Sequence, residues 1–490
     1  MIHITLSDNT FQSKEFKHNF QRYEAASRAG KSIYLDPDEL TDIAEYYHLH
    51  GQLGKALDAI NLAIRMFPGA TQPLAFRARV AILLENNAQE AIRFAEQIED
   101  KADLDYFYII AEIMIASGND DKANRYLKEK SAEVCDDELD DYYLDVATLF
   151  ADYDNLPLAK DWLSLSHDTD SDDYHELQGR IAMGQGNFTE SERIFNKLID
   201  HDPYHAPYWN QLASAQYLHN DVSSSIESSD FSLAINPDDA DAIVNKANGL
   251  ILLGNYAEAL HYYERYKQLQ PHSEIGDMGI ATVFMGENKL EEALKHWGIA
   301  EEHCNPQSVN MIDILRNQCL VSATLGRFSD AFQCVSRLEA IVGTNYPDVH
   351  IIKGYIHLLN SQDKDANACF NEAANESSND EKNRALFFIA YCYYDCGIMQ
   401  KAHDIMRQIS LSEQASQFPD LWLYLSVTDY ELGLQTDFTH DIAKAIELNP
   451  QEVKTEFSGY FPNNLADDEL LSFVHSHPIS ENNNLLTSQA

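Results

Sequence analysis

Apolar residues recur along this chain at helical spacing, in stripes about as long as one helix each, and the stripes come in pairs. In the run FTESERIFNKLID, Phe188, Phe195, Leu198 and Ile199 fall on one face and charged or amide side chains on the other, the pattern of an amphipathic helix. Gly186 precedes this run where an earlier helix ends, Gly179 falls where the two helices cross, and Pro203 closes the stretch. The same chemistry returns in the same order two periods later as Ala247, Gly254, Tyr256, Ala259, Tyr263 and Pro271. Pro203, Pro237 and Pro271 stand 34 residues apart. Each residue type has a reason to be where it is. Extra volume at a packed helix crossing costs about 1 to 3 kcal/mol, glycine accepts positive φ at a turn, and proline stops the second helix.

The register carries well beyond this clean centre. Upstream it is anchored by Ala44, Gly51, Ala56, Ala63 and Pro68, and then by Ala78 with Ala91, by Ala111, Gly118 and Ala123, and by Ala147 with Ala159. Downstream the anchors are Ala281 with Ala293, Gly326 with Ala331, Gly354 with Ala366, Ala390 with Gly397 and Ala402, and finally Trp422, Gly433, Ala445 and Pro450. These predict about twelve helix-turn-helix units between residues 37 and 450, with longer connectors around 302–310, 374–384 and 410–418.

On these residues the chain resembles the tetratricopeptide-repeat family over more than four fifths of its length. The resemblance implies an all-α fold, a right-handed α-solenoid. It says less about function, because members of that family serve as chaperone cofactors, secretion and assembly factors, and regulatory scaffolds. The opening of the array, Ser32, Tyr34, Asp36 and then DELTDIAEYYHLHGQLGKALDAI, also looks like repeat proteins of Bacteroides-like bacteria, which implies a bacterial protein. The expected organisation is a basic capping segment at 1–36, the array at 37–450, and closing helices with a disordered tail at 451–490.

Composition agrees with such an array. The 490 residues include 20 Gly and 14 Pro, mostly at unit ends, and 44% apolar residues, enough for a continuous core. No run approaches the roughly 18 to 20 apolar residues of a membrane span. The start, MIHITLSDNT, lacks the basic and apolar regions of a secretory signal, so a cytoplasmic protein is expected. Seven cysteines without framework spacing suit reduced thiols.

The formal net charge is −44. Asp38, Asp105, Asp141, Asp173, Asp241, Asp313, Asp348 and Asp420 occupy the second place of their units, where a carboxylate is expected to cap free N–H groups and meet the positive end of the helix dipole. Pro37, Pro347 and Pro419 precede three of them and strengthen the start signal. Between Glu133 and Glu176 fifteen acids face Lys160 alone. Two readings of that stretch stand, a solvated face or a landing surface for a partner with a basic surface. Nucleic acid is excluded as a partner, because its binding is driven by Lys and Arg neutralising phosphate.

Candidate chemistry is sparse. HDTDSDDYHELQG alternates Asp168, Asp170 and Asp172, but Asp173 and Gly179 stand where a calcium loop needs glycine and a bidentate glutamate. Cys392, Cys396 and His403 suggest zinc, yet Cys392 sits where a small packed residue belongs, Cys396 ends the same helix, and no fourth ligand lies nearby. His48, His50, His475 and His477 carry less. With no nucleophile, Walker or zinc-protease pattern, no catalytic residue, metal or cofactor is expected, and the chain is not read as an enzyme.

The resemblance implies a concave wall lined by the first helix of each unit at its second, fifth, ninth, twelfth and thirteenth places. In this sequence those places give Asn210, Tyr217, Asn248, Ile251, Arg316 and Ala323, then an aromatic group of Tyr355, Phe387, Tyr391, Tyr394 and Tyr430 with Leu358. Exposed aromatics make interface hot spots; the competing reading packs them as core. The basic clamp by which some family members hold a carboxylate tail is missing, since Asn210, Ser214, Asn245, Ile275 and Gly279 stand in its place. The N-terminal stretch carries Lys14, Lys17, Arg22, Arg28 and Lys31 against three acids, with Phe16, Phe20 and Tyr23 on one face, as a cap over the first unit would. Two functions follow: a protein-interaction scaffold holding a partner's peptide or helix in the concave groove, or an assembly factor that oligomerises through its ends or convex face.

Overall fold

The computed structural model describes residues 11, 13–306, 308–343, 346–378, 381–462 and 465–479. Among them the regular elements are helices, with no strand. Twelve helix pairs follow one another, from Pro37–Leu49 with Leu53–Met66 to Leu421–Glu431 with Gln435–Leu448. The two helices of each pair pack on each other, and many first helices also touch the first helix of the next unit, as Pro37–Leu49 does with Thr71–Leu83 and Pro347–Leu359 with Lys382–Asp395. The chain divides into two compact blocks, Met1–Gln307 and Ser308–Ala490. The first holds eight of the pairs and the second four. Within the first block the Gln270 Nε2 donates to the Leu49 carbonyl at 3.2 Å across 221 positions of sequence, so the seventh pair returns to the first.

Every pair turns in the same way. Gly51, Gly118, Gly186, Gly254, Gly326, Gly397 and Gly433 hold positive φ between the two helices of their units, and in the other five pairs Asn86, Asp154, Asn220, Asn288 and Ser361 take that conformation. The hydrogen bonds repeat with it. Gly186 N donates to Met183 O at 3.0 Å and Asn187 N to Ala182 O at 2.9 Å; Ser361 N and Gln362 N bond Leu358 O and His357 O at 2.9 and 2.8 Å. This satisfies carbonyls left free by the first helix while the chain reverses. Asparagine and aspartate tolerate the left-handed region better than other side chains, which is why the units without a glycine here are still units.

The small residues act as spacing predicted. A Cβ built on Gly179 would lie 2.8 Å from the Phe195 ring, and one on Gly354 2.3 Å from Phe370. Ala44, Ala56, Ala111, Ala123, Ala247, Ala259, Ala390 and Ala402 are completely buried.

The eight aspartates do not cap as expected. In four of the units the capping side chain stands two residues earlier. Asp36 accepts from Glu39 N at 2.8 Å and completes a capping box, Asp103 accepts from Asp105 N at 3.0 Å, Ser171 from Tyr174 N at 3.3 Å and Asp239 from Ala242 N at 2.9 Å. A cap needs extended backbone just before the helix, and Asp38, Asp105, Asp173 and Asp241 already lie inside the first turn, where the dipole still favours them. Asp141 and Asp348 share that place behind the cap positions Glu138 and Tyr346. Asp313 lies deeper, in a helix capped by Ser308, and Asp420 takes the cap position without a side-chain bond.

At the N-terminal end, helix Lys14–Ala29 starts from Ser13 and lays Phe16 and Tyr23 into the core of the first unit. Phe11, Phe16, Phe20, Tyr46 and Tyr47 form one aromatic cluster, and Asn19 Nδ2 donates to Glu39 Oε1 at 2.6 Å. At the other end Phe457, Phe461, Leu470 and Val474 are buried over Tyr430 and Phe438. The predicted tail lies outside the described residues beyond Ile479.

Three outcomes follow for stability. Ser361→Gly should raise the denaturation midpoint, by about 1 kcal/mol, because the serine holds a left-handed φ of 57°; a lowered midpoint would contradict the turn. Gly354→Ala should cost about 1 to 3 kcal/mol in the same titration, since Phe370 must give way. Removing residues 1–31 should lower the melting temperature by uncovering Tyr46 and Tyr47, and an unchanged melt would show that the helix is no cap.

Candidate binding site

In the block Ser308–Ala490 the first helices of four consecutive units wall one cavity of about 520 Å³. Helix Val309–Thr324 contributes Arg316, Leu320 and Thr324, one turn apart; helix Pro347–Leu359 contributes Asp348, Ile351, Ile352 and Tyr355. Helix Lys382–Asp395 supplies Arg384, Phe387, Phe388, Tyr391, Cys392 and Asp395, and Asp420 and Tyr424 come from the start of helix Leu421–Glu431. The i, i+3, i+4 and i+7 spacing puts these side chains on one helix face. The second helix of each unit stays behind the wall, because it buries its small and apolar stripe against the first.

Much of the wall is aromatic, and it is braced. Tyr391 and Tyr424 meet edge to face with ring centres 5.5 Å apart, Phe387 packs on Phe418 at 5.2 Å and reaches Tyr424 at 6.2 Å. Phe388 and Tyr391 remain 43% and 41% exposed. The Tyr355 hydroxyl donates to Asp395, and burial followed by that carboxylate pushes its ionisation well above the ordinary tyrosine range. Burial likewise raises Tyr391 and Tyr424, so these rings present neutral hydroxyls. The Arg384 guanidinium lies 5.7 Å from the Phe388 ring centre, and Arg316 Nη1 bonds Asp313 Oδ1 at 2.9 Å. The wall can therefore take an apolar or aromatic side chain and hold polar groups beside it with guanidinium, carboxylate and phenol partners.

Of the residues expected in the groove, Arg316, Tyr355, Phe387 and Tyr391 meet in this cavity. Tyr394 does not line it. Its hydroxyl donates to Glu456 Oε1 at 3.1 Å and its ring packs on Tyr424 at 5.1 Å, so it braces the wall from outside. Tyr430 is core: it is 5% exposed and meets Phe438, Phe457 and Tyr460 edge to face, because the segment after residue 450 covers it. Asn210, Tyr217 and Asn248 belong to the other block. Asn210 is buried and donates to Asp239 Oδ1 at 3.0 Å, Asn245 Nδ2 reaches Asn210 O and Ser214 Oγ at 3.3 and 3.2 Å, and Asn248 accepts from Tyr263. These amides tie first helices together and hold Tyr263 in the core. Sequence reasoning missed Arg384, Phe388, Leu320 and Tyr424. Three of these carry a signal, since Arg384 and Phe388 lie three residues before Phe387 and three before Tyr391, and Leu320 one turn after Arg316.

The cysteine pair and His403 do not form one site. Cys392 is buried and lines the cavity floor, and burial first, then Cys396 and Asp395, raise its thiol. All seven cysteines are free. His403 points elsewhere, with Nε2 3.0 Å from Asp429 Oδ1. Arg407 Nη2 reaches Asp429 Oδ2 at 3.2 Å and Asp441 Oδ2 at 2.7 Å, both carboxylates being fully buried. Burial holds the Asp429 carboxyl up at about 8 against the opposing pull of Arg407. Ligand atoms of His403, Asp429 and Asp437 lie within 4.8 Å of one another, a set that could hold a metal ion, though Arg407 already supplies a cation there. Ser171, within the acidic loop read against calcium, caps helix Asp172–Gly184.

No family model matches the sequence, and no curated protein does. The solved structures it is similar to include the Cut9–Hcn1 hetero-tetramer of the APC/C, at 15% identity and a TM-score of 0.38 over 95% of this chain and 94% of that one. A tetratricopeptide repeat protein from Parabacteroides merdae gives 14% identity and 0.41 over 52% of this chain and 98% of that one. YrrB, described as a TPR protein with an unusual peptide-binding site, gives 15% and 0.30 over 37% and 92%. By its own 34-residue spacing, its twelve helix pairs and the left-handed turn within each, this chain is an α-solenoid of tetratricopeptide type.

Proposed function

We propose that this chain is a protein-interaction scaffold that holds a peptide or helix of a partner protein against the aromatic wall of residues 308–490. The observation that carries this reading is the cavity of about 520 Å³, walled by first helices of four units and presenting half-exposed Phe388 and Tyr391. Concave, largely apolar sites of this volume with a few placed polar groups are what ligand-binding sites look like, and exposed, braced aromatics are what interfaces use as anchors. Bracing matters because a ring already held by Tyr424 or Phe418 loses little freedom on binding. The high negative charge supports a protein partner over a nucleic acid, and no helix among the described residues is long and apolar enough to cross a membrane. Seven free cysteines suit a reducing, cytoplasmic setting.

The test is a crosslinking pull-down from the native cell that compares wild type with Phe388→Ala/Tyr391→Ala. Both rings are more than two fifths exposed, so the variant should melt close to wild type while its recovered partner falls at least tenfold, as loss of about 2 kcal/mol per anchor implies. A partner set indifferent to the pair would reject this wall. Light scattering addresses the assembly-factor alternative: a monomer at micromolar concentration counts against self-association, and an oligomer that the double variant dissolves would make a second copy the occupant.

A further inference from the structure

The register places that wall the aromatic cavity recur in the first block with different chemistry. In unit ten the cavity residues Asp348, Ile352 and Tyr355 are spaced by four and then three, and in unit eleven so are Arg384, Phe388 and Tyr391. The same spacing from the same starting place in the first unit gives Asp38, Asp42 and Glu45 on helix Pro37–Leu49. The next three first helices add Arg79 from Thr71–Leu83, Asp105, Tyr108 and Glu112 from Leu104–Ala116, and Asp145 from Leu139–Asp152. These four helices touch in sequence. They bring six carboxylates onto these four helices, of which Glu45, Asp105, Glu112 and Asp145 act on Arg79, and Arg79 is already engaged: its Nε donates to Glu112 Oε2 at 2.9 Å. Tyr108 donates to Asp145 Oδ2 at 2.9 Å and Gln72 to Asp105.

Glu45 stands apart. It is 4% exposed, and its Oε2 is buried with no hydrogen-bond partner. A buried carboxylate oxygen without a partner is costly, and folded chains keep one where something else completes it. We propose that this wall, with Glu45 buried within it, is a second docking site, which receives a lysine or arginine side chain from a basic segment of a partner protein. Charge complementarity selects the occupant. Burial, with Asp42 and Asp105 adding to it and Arg79 opposing, holds the Glu45 carboxyl up at about 8, and burial with Asp38 holds Asp42 at about 6. Burial also leads the rise of Asp145 to about 6, against its bond from Tyr108. These raised values show acids crowded together with one guanidinium among them, so an incoming guanidinium or ammonium meets acids from several helices at once and draws Glu45 to its charged form. Guanidinium suits it best, since its fork can pair with two carboxylates.

The inference rests on the reading of the chain as an interaction scaffold, but on another block and other chemistry, so its failure leaves the aromatic wall untouched. The probe is a fluorescent octa-arginine peptide, titrated into the full chain at an ionic strength of about 0.15 M, where charges more than about 8 Å apart are largely screened. Glu45→Gln/Asp42→Asn should weaken binding at least tenfold. Asp136→Asn/Asp137→Asn removes the same number of carboxyl groups from an exposed stretch and should change it less than twofold. The first variant should melt no lower than wild type, because Glu45→Gln removes a buried carboxyl whose Oε2 has no hydrogen-bond partner and Asp42→Asn relieves the crowding of acids beside it. Equal weakening by both pairs would mean a diffuse acidic surface, no weakening by either would mean no site, and a lower melt for the first pair would mean that Glu45 is satisfied within the fold; each of these overturns the proposal.

Discussion

Each helix pair of this chain reverses through a single residue in the left-handed conformation, and the rest of the structure depends on that turn. It is short enough to hold the second helix tightly against the first, and its hydrogen bonds use carbonyls that the end of the first helix leaves free. With the turn constant, the crossing point is constant too, so a small residue is needed at the same place in unit after unit. Gly179 against Phe195 and Gly354 against Phe370 are two instances. The second helix then covers one side of the first, and the opposite side is left to line a wall.

That geometry explains how one backbone pattern carries two kinds of surface. Within residues 308–490 the wall places hold rings, which brace one another and leave Phe388 and Tyr391 half exposed. Within residues 37–152 the equivalent places hold carboxylates around Arg79. Neither surface disturbs the core, because the core is made by other faces of the same helices. The many acids of the chain thus divide by place. Those at helix starts work with the dipole, those such as Asp136 and Asp137 are exposed, and Glu45 is buried with its Oε2 unpartnered.

Where sequence and structure part, the causes are specific. In five units Asn86, Asp154, Asn220, Asn288 and Ser361 fill the left-handed place that glycine takes in the others, so a search for glycine alone does not mark every turn. Asp38, Asp105, Asp173 and Asp241 stand two residues after the side chains that cap, because periodicity marks where helical packing begins and not where the backbone leaves its extended form. Arg316, Tyr355, Phe387 and Tyr391 could be read from the register and do share a cavity. Tyr430 has the same register and an aromatic ring, yet Phe457 and Tyr460 cover it.

The sequence by itself determined the period, the helix pairs, the turns and the face of each helix that is packed, since these depend on spacing within about 34 residues of chain. Only the tertiary structure decided which wall residues are open and which are sealed, that His403 leaves the cysteines for Asp429, and that Glu45 ends buried with an oxygen unmatched. Those outcomes depend on neighbours brought from other units, and burial of a ring or a carboxylate is a property of everything packed around it.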